Sequence, residues 1–153
     1  MEIKEKFDAP FGPIPALRLT TVPRWPIIKM DTEQSVAEHV FNVIHITKWL
    51  YNNINYKTTN KKELEAYMHE AFHHDDVEVW CSDIPSPAKK SPNDTSDLVK
   101  LADLIEAYRF FDAHCIDTDK IIDWLRQGLK QKIYNQIQKM GISYTEISSL
   151  MES

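Results

Sequence analysis

At 153 residues, 42% hydrophobic and 27% charged, the chain has the makings of one soluble globular domain with a single core. Three glycines are too few for a glycine-rich phosphate loop in a Rossmann crossover, and a net charge of -5 argues against a general nucleic-acid binder. No apolar run approaches the roughly 18 residues of a membrane span, and Met1-Glu2-Ile3-Lys4-Glu5-Lys6 lacks the apolar core of a secretory signal, so a cytoplasmic protein is expected.

Five of the eight prolines fall in residues 1–34, which read as an irregular arm. It should hold a short helix near Ile14–Thr20 and an extended Val22–Lys29 segment kept open by Pro23 and Pro26. Ser35 and Glu38 form a capping-box signature, and Val36, Val40, Val43, Ile44 and Leu50 behind it predict a helix over Ser35–Tyr51. Asn60 with Glu63 starts a second, carrying Leu64, Tyr67, Met68, Ala71 and Phe72 to about His74. Ile84-Pro85-Ser86-Pro87 breaks any continuation. Pro92 is expected to open a third helix through Leu98, Leu101, Ile105 and Phe111. Thr118–Met140 is a fourth, stopped by Gly141, and Ser143 with Glu146 starts a short terminal one. No alternating strand pattern is sustained, so the fold class is all-α.

Two patterns compete as metal signals. His69-Glu70-Ala71-Phe72-His73 fits H-E-x-x-H, which on a helix sets two imidazoles on one face beside a glutamate base, as in zinc proteases. No further motif marks its third ligand. His74-Asp75, at a helix end, is the other: adjacent residues lie about 100° apart, so both side chains can lean toward one ion. That pair needs ligands from other helices, and His39 and Asp103 are candidates. Asp103 lies among Leu101, Ala102, Leu104 and Ile105, where burial is costly unless the acid is paired or metal-bound; the alternative is the polar side of an amphipathic helix. A mixed imidazole–carboxylate set leaves positions for water and phosphate oxygens and suits Zn²⁺, Mn²⁺, Co²⁺ or Fe²⁺.

Along the chain stand, in order, Arg24-Trp25-Pro26, Ser35-Val36-Ala37-Glu38-His39, His74-Asp75-x-x-Glu78, Asp83-Ile84-Pro85-x-Pro87 and Lys100-x-Ala102-Asp103. This order resembles the H…HD…D pattern of HD-domain phosphohydrolases, in particular the bacterial 5'-deoxynucleotidase branch, over roughly Leu17–Phe111. In its short length and in having Ile27 two residues after Trp25, the chain is similar to phage dATP triphosphohydrolases, which remove dATP where phage DNA carries 2-aminoadenine. His73, His74, Asp75 and Asp76 allow more than one His-Asp register. Only His74-Asp75 sets Glu78 three residues and Asp83 eight residues beyond the aspartate, as the family pattern requires.

The resemblance implies a helical HD domain with a divalent metal, zinc or else cobalt or manganese, held by His39, His74, Asp75 and Asp103. It implies Glu78 as the catalytic acid that orients water. Asp83 would either bond the sugar 3'-hydroxyl or assist the leaving group. Arg24, Lys89 and Lys100 are the expected phosphate contacts, magnesium accompanying the triphosphate. Trp25 would lie against the deoxyribose, Ile27 at the base edge, and Pro87 over the pocket. The implied reaction is hydrolysis of dATP, and of dADP and dAMP, at the α-phosphorus; a broader deoxynucleoside monophosphatase is the alternative, and a non-catalytic nucleotide-binding module a more distant one. A homo-oligomer, as in a hexameric ring, is implied too, with Trp124, Tyr134 and Leu150 belonging to its interface or to the core.

Overall fold

Ser35 begins the first long helix in the way its spacing to Glu38 predicts. Its side-chain oxygen accepts from the Glu38 backbone N–H while the Glu38 carboxylate accepts from the Ser35 backbone N–H, satisfying two otherwise unpaired donors. In the computed structural model, which describes residues 14–25, 28–54, 60–76 and 95–152, that helix is α1, Val36–Asn53. Then come α2, Lys61–His73, α3, Asp97–His114, α4, Lys120–Met140, and α5, Tyr144–Met151. A 3-10 turn over Pro15–Thr20 precedes them. The described residues form no strand, only two isolated bridges, Pro23 with Ser35 and Met30 with Cys115. None of their helices is long and apolar enough to cross a membrane.

Helix α3 is the central element, packing on α1 and α4 while α1 packs on α2. Its buried residues, among them Leu98, Val99, Leu101, Ile105, Tyr108 and Phe111, point to every side, as a helix enclosed by neighbours requires. They meet Val43, Leu50 and Tyr51 of α1, Ala71 of α2, Ile133 and Ile137 of α4 and Ile147 of α5 in one core. Each fully buried aliphatic side chain there stabilises the fold by roughly 1.5–3 kcal/mol. Leu19 and Val22 of the arm form a smaller cluster with Val36 and Val40, fastening the arm at the mouth of α1.

Three expectations are corrected. Helix α3 begins at Asp97, not at Pro92, because the Ser96 side chain accepts from the Val99 backbone N–H and caps it; Pro92 lies outside the described residues. Helix α4 begins after Asp119, whose carboxylate accepts from Ile121 N–H. It ends as expected at Gly141, whose φ of 70° is one that glycine adopts without strain. Nor is the arm extended through Lys29: Trp25 has a φ of 56°. Such a left-handed backbone in a bulky residue costs about 1–3 kcal/mol and persists only where surrounding contacts impose it. Here the Trp25 ring stacks on Phe110 at 6.4 Å and tilts against Phe111 at 5.7 Å, while Arg24 and Val36 N–H groups donate to the Gln34 and Val22 carbonyls. At the surface, Trp124 is 74% exposed and Tyr134 is also exposed, whereas Leu150 packs against the core.

Candidate active site

One turn into α1, His39 is fully buried and points its imidazole toward the end of α2, where His74 and Asp75 leave the helix. The two Nε2 atoms lie 3.3 Å apart. Asp75 Oδ2 sits 3.4 Å from the first and 3.3 Å from the second. From α3, Asp103 turns Oδ1 in to 2.9 Å from His39 Nε2 and 3.7 Å from His74 Nε2. The Asp103 side chain is 38% exposed.

Both imidazoles have their other nitrogen occupied. His74 Nδ1 lies 2.6 Å from the Ala71 carbonyl, an acceptor that calls for N–H there. His39 Nδ1 meets Glu106 Oε2, again an acceptor. With the Nδ1 proton fixed, Nε2 of each ring is the atom left to hold either a second proton or a metal ion, and the two Nε2 atoms face each other between carboxylates. Carboxylates on either side favour positive charge at these nitrogens, supplied by a proton or by a metal ion. The separations also fit one: ligands bonded at about 2.1 Å around a tetrahedral zinc stand about 3.4 Å apart. His39, His74 and Asp103 are the group among the described residues whose donor atoms are close enough to share an ion, with Asp75 Oδ2 beside the two histidines.

Titration expresses the same demand for positive charge. Burial and the nearby Arg24 guanidinium pull His39 down, but hydrogen bonds to Asp103 and Glu106 outweigh them and raise its pKa to about 9. Burial likewise lowers His74, and the Asp103 hydrogen bond and the Asp75 charge reverse it to a raised pKa. Desolvation pushes Asp103 up, yet hydrogen bonds from both histidines hold it well below the ordinary carboxylate range. Glu106 is lowered despite its burial, chiefly by His39.

Arg24 is drawn inward, Nη1 lying 3.9 Å from Asp75 Oδ2, with its guanidinium 5.3 Å from the Trp25 ring centroid. Lys100 is partly exposed on α3, one turn before Asp103. Ile27, Glu78, Asp83, Pro87 and Lys89 lie outside the described residues. The H-E-x-x-H reading is overturned. His69 and His73 are exposed, His73 Nδ1 pairs with Asp76 at 2.6 Å, and the Glu70 carboxylate accepts from the Ser96 backbone N–H at the start of α3. The His73–Asp76 pair therefore stands apart from the buried cluster, and His74-Asp75 is the register that enters it.

Sequence reasoning missed Glu106 and Gln34. Glu106 interrupts the apolar run of α3 as Asp103 does, and the cost of burying an unpaired acid would have singled it out too. Gln34, ahead of the capping box, carries no such signal.

No curated protein matches the chain. Among solved structures, it is similar to the cyanophage S-2L HD phosphohydrolase (DatZ), bound to dA and one catalytic Zn²⁺ ion, at 17% identity and a TM-score of 0.71 over 90% of each chain. That similarity shows the fold. A family model described as 5'-deoxynucleotidase YfbR-like matches residues 15–151. With the match running through all five helices and the cluster between them, the chain belongs to the YfbR-like 5'-deoxynucleotidase family.

Proposed function

We propose that the protein is a metal-dependent phosphohydrolase that cleaves dATP, together with dADP and dAMP, at the α-phosphorus. Its products from dATP would be deoxyadenosine and triphosphate. The observation carrying this reading is the convergence of His39 Nε2, His74 Nε2 and Asp103 Oδ1 beside Asp75 Oδ2, and these four residues are the proposed ligands. Zinc held there, or cobalt or manganese in its place, supplies a Lewis acid for a phosphoryl oxygen and lowers the pKa of water.

The chain's own groups divide the remaining work. Glu78 orients the attacking water and takes its proton as oxygen bonds to the α-phosphorus and the bond to the 5'-oxygen breaks. The 5'-oxygen leaves as a hydroxyl, its proton supplied from the site. Asp83 either assists that departure or holds the sugar 3'-hydroxyl. Arg24, already within 3.9 Å of Asp75, faces the phosphate, with Lys89 and Lys100 as further cations and magnesium accompanying the triphosphate. Trp25, braced by Phe110 and Phe111, closes the space that a 2'-hydroxyl would need. Ile27 offers no partner to the 2-amino group of guanine or 2-aminoadenine, and desolvating that group unpaired costs about 1–3 kcal/mol. Pro87 helps close the pocket. The resulting role is depletion of dATP in the host cytoplasm, for a phage whose DNA carries 2-aminoadenine. The relative solved with dA supports adenine. A homo-oligomer, as in a hexameric ring, is part of the same reading.

The test is a panel of deoxy- and ribonucleotides at each phosphorylation level, with products identified. Deoxyadenosine and intact triphosphate from dATP are expected, with dGTP and ATP turned over far more slowly. Hydrolysis of dGTP as fast as dATP would overturn adenine selection. Orthophosphate from monophosphates alone would establish the broader nucleotidase instead.

A further inference from the structure

Behind the metal cluster runs a buried polar chain that the reaction does not itself use. Glu106 is 3% exposed and Gln34 is 2% exposed. Glu106 Oε2 meets His39 Nδ1, and Oε1 accepts from Gln34 Nε2 at 2.5 Å and from Asn42 Nδ2 at 3.2 Å. The other end of the Gln34 amide, Oε1, accepts from the Trp25 indole N–H at 3.2 Å. We infer that Glu106 is the positioning residue that fixes His39 for metal binding, and that Gln34 extends its action to Trp25, joining the metal centre to the proposed sugar-binding wall.

The donor and acceptor chemistry permits only one arrangement. A carboxylate can only accept and an indole N–H can only donate, so Gln34 must turn its NH₂ to Glu106 and its carbonyl to Trp25. A flipped amide would oppose oxygen to oxygen and N–H to N–H. At the other end, Glu106 demands the proton on His39 Nδ1, so Nε2 is the atom that faces His74 and Asp103 and that a metal would take in exchange for a proton. A carboxylate behind a ligating histidine orients the ring and raises its basicity. The chain also bears on the left-handed backbone at Trp25: the indole is anchored at Nε1 by Gln34 and on its face by Phe110.

The inference rests on the metal-site reading, and one experiment separates the two. Zinc affinity is measured by chelator competition for the wild-type protein, Glu106→Gln and Gln34→Met, with the His39 Nδ1–H and Trp25 indole resonances followed by NMR. Wild-type protein should bind zinc and show a downfield, exchange-protected His39 Nδ1–H. Glu106→Gln should bind about 10–100-fold more weakly and lose that resonance. Gln34→Met keeps Glu106 on His39, so it should retain the His39 resonance, while its Trp25 indole should no longer shift when zinc is added. Failure of the wild type to bind zinc overturns the metal site and this inference together. Zinc bound by the wild type and equally well by Glu106→Gln, with the His39 resonance unchanged, overturns this inference alone. If Glu106→Gln does not fold, Gln34→Met decides: a Trp25 indole that still shifts with zinc overturns the link.

Discussion

His39 and His74 approach each other through Nε2 atoms 3.3 Å apart, each with its Nδ1 already turned to an acceptor. With Asp75 and Asp103 alongside, these facing nitrogens make a site that calls for positive charge, a proton in the metal-free protein or a metal ion in its place. Asp103→Asn removes charge from that cluster at almost constant volume. It should weaken zinc binding by more than about 100-fold, beyond the loss typical of an outer hydrogen-bond partner. Isothermal titration of zinc into chelator-treated protein checks this, and near-wild-type affinity would exclude Asp103 as a ligand.

Stability without metal should depend on pH in a defined direction. His39 has its pKa raised from 6.5 to about 9, so its protonation stabilises the fold fully below about pH 6.5 and ceases to do so as pH rises through about 9. Asp103 and Glu106 are lowered, so their contribution is present above the ordinary carboxylate range and is lost in acid. The metal-free protein should therefore melt highest in mildly acidic solution and progressively lower toward pH 9. Zinc should remove most of the alkaline decline by replacing the proton on His39. Thermal melts with and without chelator measure both effects. A metal-free melting temperature that climbs from pH 6 to 9 would contradict the assignment.

Trp25→Ala should cost stability as well as selectivity, because the ring stacks on Phe110 and a stacked aromatic pair contributes about 0.5–1.5 kcal/mol beyond burial. The preference for dATP over ATP should fall by about tenfold or more, equivalent to ~1.4 kcal/mol. Trp25→Gly relieves the backbone strain at φ 56° and should be the more stable of the two variants while losing the same selectivity. Parallel kcat/KM ratios and chemical denaturation distinguish the two contributions. An unchanged sugar preference in both variants would place the deoxyribose elsewhere.

Glu78→Gln should reduce kcat by about 10²–10⁴-fold, the usual worth of a positioned general acid–base group, while zinc affinity stays within a few-fold of wild type. Loss of metal together with activity would make Glu78 a ligand rather than the group that handles the water. Retained turnover would remove it from the reaction.

Capping boxes at Ser35 and Ser143, the helix stop at Gly141 and the apolar spacing of every helix were legible in the chain because each is settled within a turn or two of backbone. The ordered motifs likewise named His39, His74, Asp75 and Asp103, though not the distances between them. What periodicity could not reveal was which acid stands behind which histidine. Glu106 is 67 positions from His39 and 72 from Gln34, and their meeting depends on how α1 and the arm pack across α3. The turn at Trp25 is equally non-local: the residue before a proline prefers an extended backbone, and contacts with Phe110, Phe111 and Gln34 override that preference. Local chemistry thus determined the helices and the candidate ligands. Packing between segments remote along the chain decided which ring nitrogens and carboxylates face one another, since buried polar groups find their partners only when the core closes around them.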